Sequence, residues 1–202
     1  METYKISREW INRMGLILFF FIGSAAWFFY DGLIVYPHDN AIFEAREAVE
    51  KAFPQDSIAL ESEWQKIATE KNYPLSKDDL PDHLKNVNEQ FKWGSGLLIF
   101  ALLFALFIVR DTFRKIKNDT ETFTGITAVP APLATLTTVK YADVIGIDKA
   151  RWDKKGIAKI IYKIAPDAPH QSVLIDDYKY AGSEAILKRC ESIIAEKIAT
   201  KQ

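Results

Sequence analysis

The sequence predicts an α+β membrane protein with two transmembrane helices, a helical segment between them, and a C-terminal antiparallel β-sheet or half-barrel capped by one α-helix. Uncharged apolar blocks at residues 14–30 and 93–109 predict the two spans. Strand-like alternation and β-favouring residues after residue 120 predict the sheet. The predicted segments are an N-terminal stretch (1–13), a first span (14–36), an extracytoplasmic segment (37–92), a second span (93–110), a juxtamembrane linker helix (111–119) and a β-rich domain (120–202).

Composition argues against several classes of function. The formal net charge is −1, so the chain as a whole has no electrostatic footprint for nucleic acid. The one cysteine, Cys190, cannot form an intramolecular disulfide, and the three histidines lie far apart in sequence. The sequence contains no nucleotide-binding, hydrolase or zinc-protease motif. We therefore expect no enzymatic activity, no cofactor or metal, and no small-molecule substrate.

The first apolar block has no charge over residues 14–30, and after Asp31 it continues to Tyr36. These 17 uncharged residues would reach roughly 25 Å as a helix, against a bilayer core of about 30 Å. The outer end of the span is therefore either Tyr30 or Tyr36. Basic residues before the block also fit a cleaved signal peptide, but the aromatic run from Trp27 would make an awkward mature terminus. We predict an uncleaved anchor.

The second block, residues 93–109, is apolar on every side of a helix, which excludes an ordinary amphipathic surface helix. Within it Ala101 and Ala105 are spaced as a small-xxx-small pair, which is typical of close packing between membrane helices. Neither block carries an ionisable residue at mid-membrane depth, and this argues against an ion pathway or proton relay.

Charge predicts the orientation of the spans. Basic residues flank them on one side: Lys5, Arg8, Arg13, Arg110, Arg114, Lys115 and Lys117. The connecting segment 37–92 instead contains 12 Asp and Glu against 7 Lys and Arg. The positive-inside rule then predicts a multi-pass protein of the cell (inner, cytoplasmic) membrane, with both termini in the cytoplasm.

Helical spacing predicts two helices in the connecting segment, separated by Pro54. Residues 37–40 are predicted to form a loop and helix cap, and Pro81 to start a third helix that continues into the second span. Trp64 is expected in the core. The glutamates are expected to form a solvated face, because no histidine lies at ligand spacing. The predicted apolar positions are Ile42, Ala45, Val49, Phe53, Leu60, Trp64, Ile67 and Ala68.

In the β-rich domain, the clearest predicted strand runs from Ile157 to Ile164, where Lys159 and Lys163 alternate with apolar residues. Further strands are predicted at 122–129, 133–138, 141–147 and 172–180. A helix capped by Ser183 follows. We expect its apolar stripe to bury Cys190 and to comprise Ile186, Leu187, Cys190, Ile193, Ile194 and Ile198. Asp176 and Asp177 are expected to serve as turn or helix-cap partners.

The stretch from Tyr141 to Ile157, followed by Leu174 to Tyr180, is similar to bacterial membrane-anchored proteins with a pleckstrin-homology-type domain. A strand meander closed by one C-terminal helix resembles the second half of such a domain. The resemblance covers only the C-terminal part of the chain, where five strands can be counted against the seven usual in the family. It implies a non-enzymatic scaffold for binding or oligomerisation.

A basic turn with a tryptophan is the candidate contact site for a membrane surface or a partner. A cluster of this kind can dock on an anionic leaflet, each base contributing about 1 kcal/mol near the surface. The alternative is a solvated hairpin with its tryptophan packed on its own sheet. The candidate residues are Lys149, Arg151, Trp152, Lys154 and Lys155.

The expected function is that of a non-catalytic scaffold or accessory subunit that acts through its two soluble parts. Its expected partners are the lipid bilayer and either another protein or further copies of this chain. The second hypothesis is a lipid-sensing or docking module held at the membrane surface. A transporter or channel subunit is the third, and it lacks the polar residues that the spans would need.

Overall fold

The computed structural model describes residues 1–129 and 133–200, so residues 130–132, between the predicted strands at 122–129 and 133–138, lie outside the described residues. It confirms the α+β class, with an antiparallel sheet and two long apolar helices. The chain divides into two compact units. We call Met1–Ile17 with Leu103–Gln202 the β unit, and Leu18–Leu102 the helical unit.

The β unit is built on a seven-stranded antiparallel sheet in the order β1-β2-β3-β7-β6-β5, with β4 paired to β3. One turn of helix, α5, joins β5 to β6, and α6 follows β7. The elements are β1 (Glu2–Tyr4), β2 (Ile116–Asn118), β3 (Thr122–Thr127), β4 (Leu136–Lys140), β5 (Val144–Arg151), α5 (Trp152–Lys155), β6 (Ile157–Tyr162), β7 (Gln171–Asp176) and α6 (Glu184–Ala199).

Two of these strands were not predicted. The N-terminal stretch contributes β1, which pairs with β2 so that Glu2 lies opposite Asn118. The predicted linker helix at 111–119 is wrong beyond Thr112, where the preceding helix ends, because the chain turns into β2. The fully buried Ile116 and exposed Lys117 give β2 the alternation of a half-buried strand.

The core of the β unit lies between the sheet and α6. In β6, Ala158, Ile160 and Tyr162 are buried and Lys159 is exposed, as the period-two pattern predicts. The prediction fails at Ile164, which is exposed because the strand ends two residues earlier. The stripe of α6 is likewise confirmed except at Ile198, which lies exposed in the last turn, past the buried cluster.

The first turn of α6 is capped by a residue other than the predicted one. Ser183 makes no capping hydrogen bond through its side chain. Instead the carboxylate of Asp177 accepts a hydrogen bond from the backbone N–H of Glu184 at 2.9 Å, which satisfies one of the free amides of the first turn. Asp176 accepts one from the N–H of Lys179 at 2.9 Å. Both aspartates therefore serve as turn or cap partners, as predicted.

Besides part of α1, the helical unit contains α2, α3 and part of α4. The helices α1 and α2 are continuous. A π-helical turn, Asp31–Val35, joins α1 to α2. A short 3-10 turn, Lys77–Asp79, lies between α3 and the last helix. The helices are α1 (Arg8–Tyr30), α2 (Tyr36–Ala52), α3 (Ser57–Lys71) and α4 (Val87–Thr112).

The predicted loop at 37–40 is wrong, because Pro37 stands in the first turn of α2, where its missing N–H is tolerated. The π-helical turn lies directly before it, where the proline ring would crowd the carbonyl of Leu33 in a regular α-helix. Asn40 caps no helix. Its side-chain amide exchanges two hydrogen bonds with the backbone of Lys85, at 2.9 and 2.7 Å.

The third helix was predicted to begin near Pro81, and this is wrong because α4 begins at Val87. The two preceding helices are confirmed. Asp56 caps α3 by accepting hydrogen bonds from the N–H groups of Ile58 and Ala59. Trp64 is fully buried between α2 and α3, with Ile42, Val49 and Ala68 in the same cluster.

Small residues let α4 approach the first helix within the helical unit. A Cβ on Gly94 would lie 3.3 Å from the Cβ of Phe28, and one on Gly32 would lie 3.2 Å from the Cβ of Gln90. Ala101, one member of the predicted small-residue pair, is buried. Close approach of this kind is how membrane helices gain van der Waals contact.

Candidate functional site

A buried carboxylate marks the end of α4 inside the β unit. Asp111 is only 1% exposed, and three cationic side chains surround it. Lys179 donates to its Oδ2, Arg110 approaches Oδ1 at 3.1 Å, and Arg114 approaches Oδ1 at 3.2 Å. A carboxylate so far from water is stable only when its oxygens are paired, and here they are.

The same lysine reaches the start of α1. The Nζ of Lys179 lies 4.7 Å from the ring centroid of Trp10 and 5.6 Å from that of Phe107, within cation–π range. The backbone N–H of Ser7 donates to the carbonyl of Lys179 at 2.7 Å, and its hydroxyl donates to the carbonyl of Tyr178 at 2.8 Å. The turn after β7 therefore holds the start of α1 and the end of α4 against the sheet.

The residues of the predicted basic turn have different surroundings in the structure. Lys149 pairs with Glu191 of α6 at 2.8 Å, and Arg151 is exposed at the end of β5. Trp152 is half-buried and packs against the core of its own sheet, as the alternative interpretation expects. The remaining two residues lie exposed on α5: Lys154 and Lys155.

Those two lysines share a cleft with Arg13 of α1. The guanidinium carbon of Arg13 lies 5.1 Å from the ring centroid of Tyr178, and its Nη2 donates to Glu9 at 2.6 Å. The cleft has a volume of about 570 Å³. Its other lining residues are Asp153, Gly156, Ile157, Asp176 and Asp177. We call this space the interfacial cleft, because Arg13 is the last charged residue before the apolar block of α1.

The sequence predicted Lys154 and Lys155 as candidate contact residues but did not predict that Arg13 lies beside them. Arg13 was assigned only to the basic flank of the first span, and the contact that carries it here joins residues 13 and 178. Nothing in the local sequence indicates a contact between residues so far apart in the chain. Burial raises the pKa of Asp176 in the wall of the cleft, partly offset by the N–H of Lys179.

Cys190 is fully buried in α6, as predicted. Burial raises the pKa of its thiol to about 12, so the nucleophilic thiolate is scarce at neutral pH. Within residues 1–129 and 133–200, no group of three His, Cys, Asp or Glu side chains is placed to hold a metal ion.

The chain matches no protein-family model, no curated protein and no solved structure. The geometry of the two units therefore carries the functional argument by itself.

Proposed function

We propose that the protein is an integral membrane protein whose two helices anchor a non-catalytic scaffold or accessory subunit. One observation carries the proposal: both apolar helices present their side chains outward. Mean hydropathy reaches 1.7 within Arg8–Ala52 and 2.1 within Val87–Thr112, yet only 11% of each apolar window is buried. A core helix of a soluble protein would be mostly buried, and so large an exposed apolar surface in water favours aggregation.

The β unit supports an uncleaved first span. Removal of a signal peptide near residue 26 would take away β1, the Ser7 hydrogen bonds to the turn after β7, and the buried Trp10. The sheet would lose its edge strand and Lys179 would lose one of its aromatic neighbours. Retention of α1 as an anchor avoids these losses.

The same contacts support an even number of spans. Because β1 pairs with β2, residues 2–4 and 116–118 must lie on one side of the membrane. Basic residues cluster near these segments, and the segment between the spans is acidic, so we place the β unit's sheet in the cytoplasm and α2–α3 outside. We propose that this membrane is the cell membrane of a bacterium, as the resemblance of the C-terminal part implies.

The helical unit offers a surface for a protein partner. A groove of about 540 Å³ runs between α2 and α3, and its floor includes Ala45, Val49 and Ile67. The small exposed side chains of Ala48 and Ala52 leave it open to an approaching helix or loop. We also propose that the sheet with its C-terminal helix is the pleckstrin-homology-like domain that the sequence resembles, and that it has the binding role such a domain implies.

The test is purification of the tagged full chain in mild detergent, after alkaline carbonate has stripped peripheral proteins from membranes. We expect the chain to stay in the membrane pellet and to purify with a stoichiometric partner or as an oligomer. The variant A48K/A52K should lose that partner, whereas Q65K/T69K, on exposed positions of α3, should keep it. Release into the carbonate supernatant, or recovery as a bare monomer, would contradict the proposal.

A further inference from the structure

We propose that the interfacial cleft binds the zwitterionic headgroup of a phosphatidylethanolamine-type lipid, an inference that rests on the membrane insertion proposed above. Such a headgroup carries a phosphate and a primary ammonium a few atoms apart. The cleft brings together side chains of both signs that match these two groups: Arg13, Lys154 and Lys155 on one hand, and Asp153, Asp176 and Asp177 on the other.

The three cations suit the phosphate. Guanidinium and ammonium groups form short charge-assisted hydrogen bonds with phosphate oxygens, and Arg can do so with two parallel bonds. Lys154 and Lys155 are exposed on α5, so their amines can turn towards a ligand. Arg13 lies over the ring of Tyr178 and forms an exposed ion pair with Glu9, so a phosphate at the cleft would compete with Glu9 for its guanidinium.

The carboxylates argue against a purely anionic ligand. Asp177 caps α6 and Asp176 accepts a hydrogen bond from the N–H of Lys179, but Asp153 is exposed on α5 in the same cleft. An anion that reached the lysines would meet these like charges, which costs free energy in a partly desolvated site. A primary ammonium would instead be attracted to them, and its N–H groups could donate to their oxygens.

The depth of the cleft suits a headgroup. Arg13 directly precedes the uncharged block of α1, so at insertion its side chain lies in the polar layer that flanks the hydrocarbon core. The contact of Arg13 with the ring of Tyr178 and the hydrogen bonds of Ser7 hold the turn after β7 beside the first two turns of α1. A bound lipid would extend its acyl chains along the apolar surface of α1.

The dimensions also fit. A volume of about 570 Å³ falls within the range of roughly 300–1,000 Å³ found for small-ligand sites. Gly156 forms part of the wall at φ +65°, and a Cβ there would lie 3.3 Å from the backbone nitrogen of Tyr178. The glycine therefore lets α5 and the turn after β7 approach each other and close one side of the cleft.

This site differs from general docking on an anionic leaflet. Of the basic turn, Trp152 packs on the sheet and Lys149 pairs with Glu191 of α6, and neither lines the cleft. The residues that line the cleft form a localised site with charges of both signs. It should select a headgroup that carries both a phosphate and an ammonium with N–H donors.

The experiment is native mass spectrometry of the carbonate-resistant full chain, released from detergent micelles that contain one short-chain probe lipid at a time. The probes are dihexanoyl phosphatidylethanolamine, phosphatidylcholine and phosphatidylglycerol, with soluble phosphoethanolamine as the headgroup alone. We expect the ethanolamine lipid to bind about tenfold more tightly than the other three, since choline has no N–H donors, glycerol has no cation, and soluble phosphoethanolamine has no acyl chains to lie along α1.

Variants of the full chain then assign the site. K154Q/K155Q should weaken binding of the ethanolamine lipid about tenfold or more, whereas K159Q/K188Q, on exposed positions elsewhere in the β unit, should leave it unchanged. D153N should reduce the preference for ethanolamine over choline while leaving choline binding as it was. The first double variant isolates the phosphate contacts and D153N isolates the ammonium contact.

Binding of phosphatidylglycerol or phosphatidylcholine as tight as that of the ethanolamine lipid would overturn the inference. So would an unchanged affinity in K154Q/K155Q. If soluble phosphoethanolamine bound as tightly as the ethanolamine lipid, the proposal that the ligand is a lipid would be wrong. A chain that leaves the membrane in carbonate contradicts the proposed function itself, whereas unselective lipid binding by an integral chain contradicts only this inference.

Discussion

The β unit and the helical unit bury their apolar residues in very different ways. The β unit has a continuous core in which both sheet and α6 take part, with Phe123, Ile160, Val173 and Ile186 almost completely buried. The core cluster in the described helical unit is confined to α2 and α3, and it centres on Trp64. The sheet and α6 share one extended core, whereas the described core of α2–α3 is a small cluster built around Trp64, with Phe53 and Tyr73 packed against it.

The two units also bury charge differently. In the β unit, Asp111 is almost fully buried and its cationic partners Lys179 and Arg114 are mostly buried too. In the helical unit, Arg46 is buried but its partners Glu50 and Glu61 are about half exposed. Water can replace a lost glutamate far more easily than it can reach Asp111, so the network at Asp111 should matter more to stability.

The largest expected effect of a single change is in the helical unit. W64A removes the centre of the only apolar cluster described for α2–α3 and should cost about 3–5 kcal/mol. Because that cluster is small, residues 36–80 should lose hydrogen-exchange protection as a group while the sheet keeps its own. Q65A, an exposed neighbour, is the control. Retained protection of α2 and α3 in W64A would contradict a cluster built around Trp64.

The next effect is in the β unit. D111N leaves three cations around a neutral amide and should lower the free energy of unfolding by about 2–3 kcal/mol, since the cations keep some access to water. Chemical unfolding of the detergent-solubilised chain, followed by the β-sheet signal in circular dichroism, measures it. D119N, half exposed, should change stability by less than about 0.5 kcal/mol. Equal effects of the two substitutions would contradict a buried network at Asp111.

Two glycines test the difference in packing between the units. A Cβ at Gly125 of β3 would lie 2.7 Å from the Cβ of Val173, so G125A should cost about 1–3 kcal/mol by overpacking. At Gly23 of α1 no atom lies within 4 Å, and G23A should be neutral or stabilising by up to about 1 kcal/mol. Thermal unfolding of both variants in the same detergent compares them. A destabilising G23A would mean that α1 has a packing partner at this position.

The smallest expected effect depends on pH. Burial raises the pKa of Asp176, so the folded chain holds this proton more tightly than the unfolded chain does. Its contribution to stability is therefore present below the unfolded pKa of about 3.9 and is lost as pH rises through the folded pKa. D176N keeps an acceptor for the N–H of Lys179 and removes this loss.

The difference in melting temperature between D176N and the unchanged chain should thus move in favour of D176N from pH 4 to pH 7. All other titrating groups are shared by the two proteins and cancel in the difference. A difference that is constant over this range, or one that moves against D176N, would contradict a raised pKa.

Local patterns predicted the elements whose own residues determine them. The period-two alternation of β6, the apolar stripe of α6 and the two uncharged blocks were all visible in sequence. Residues 37–40 and 81–86 were mispredicted for opposite reasons. Pro37 was taken as a break although a proline is tolerated in the first turn of a helix, and Pro81 was taken as a helix start although α4 begins at Val87.

Long-range contacts were beyond prediction. The three residues of β1 carry no pattern of their own, and their partner strand lies more than a hundred residues later. Asp111 stands among the basic residues that follow the second span, and its sequence neighbours do not indicate burial. Its partner Lys179 lies in a turn far along the chain. The same holds for Arg13, whose neighbours in the interfacial cleft, Lys154 and Lys155, lie more than a hundred residues later in the chain.

We propose that two helices cross a membrane and leave the sheet and α2–α3 on opposite sides. Single cysteines on a C190A background, at exposed Ser62 in α3, Thr3 in β1 and Ser192 in α6, test it directly with a membrane-impermeant maleimide. We predict that S62C is labelled in intact cells, whereas T3C and S192C are labelled only after the membrane is permeabilised. Labelling of all three in intact cells, or of none until permeabilisation, would contradict the account.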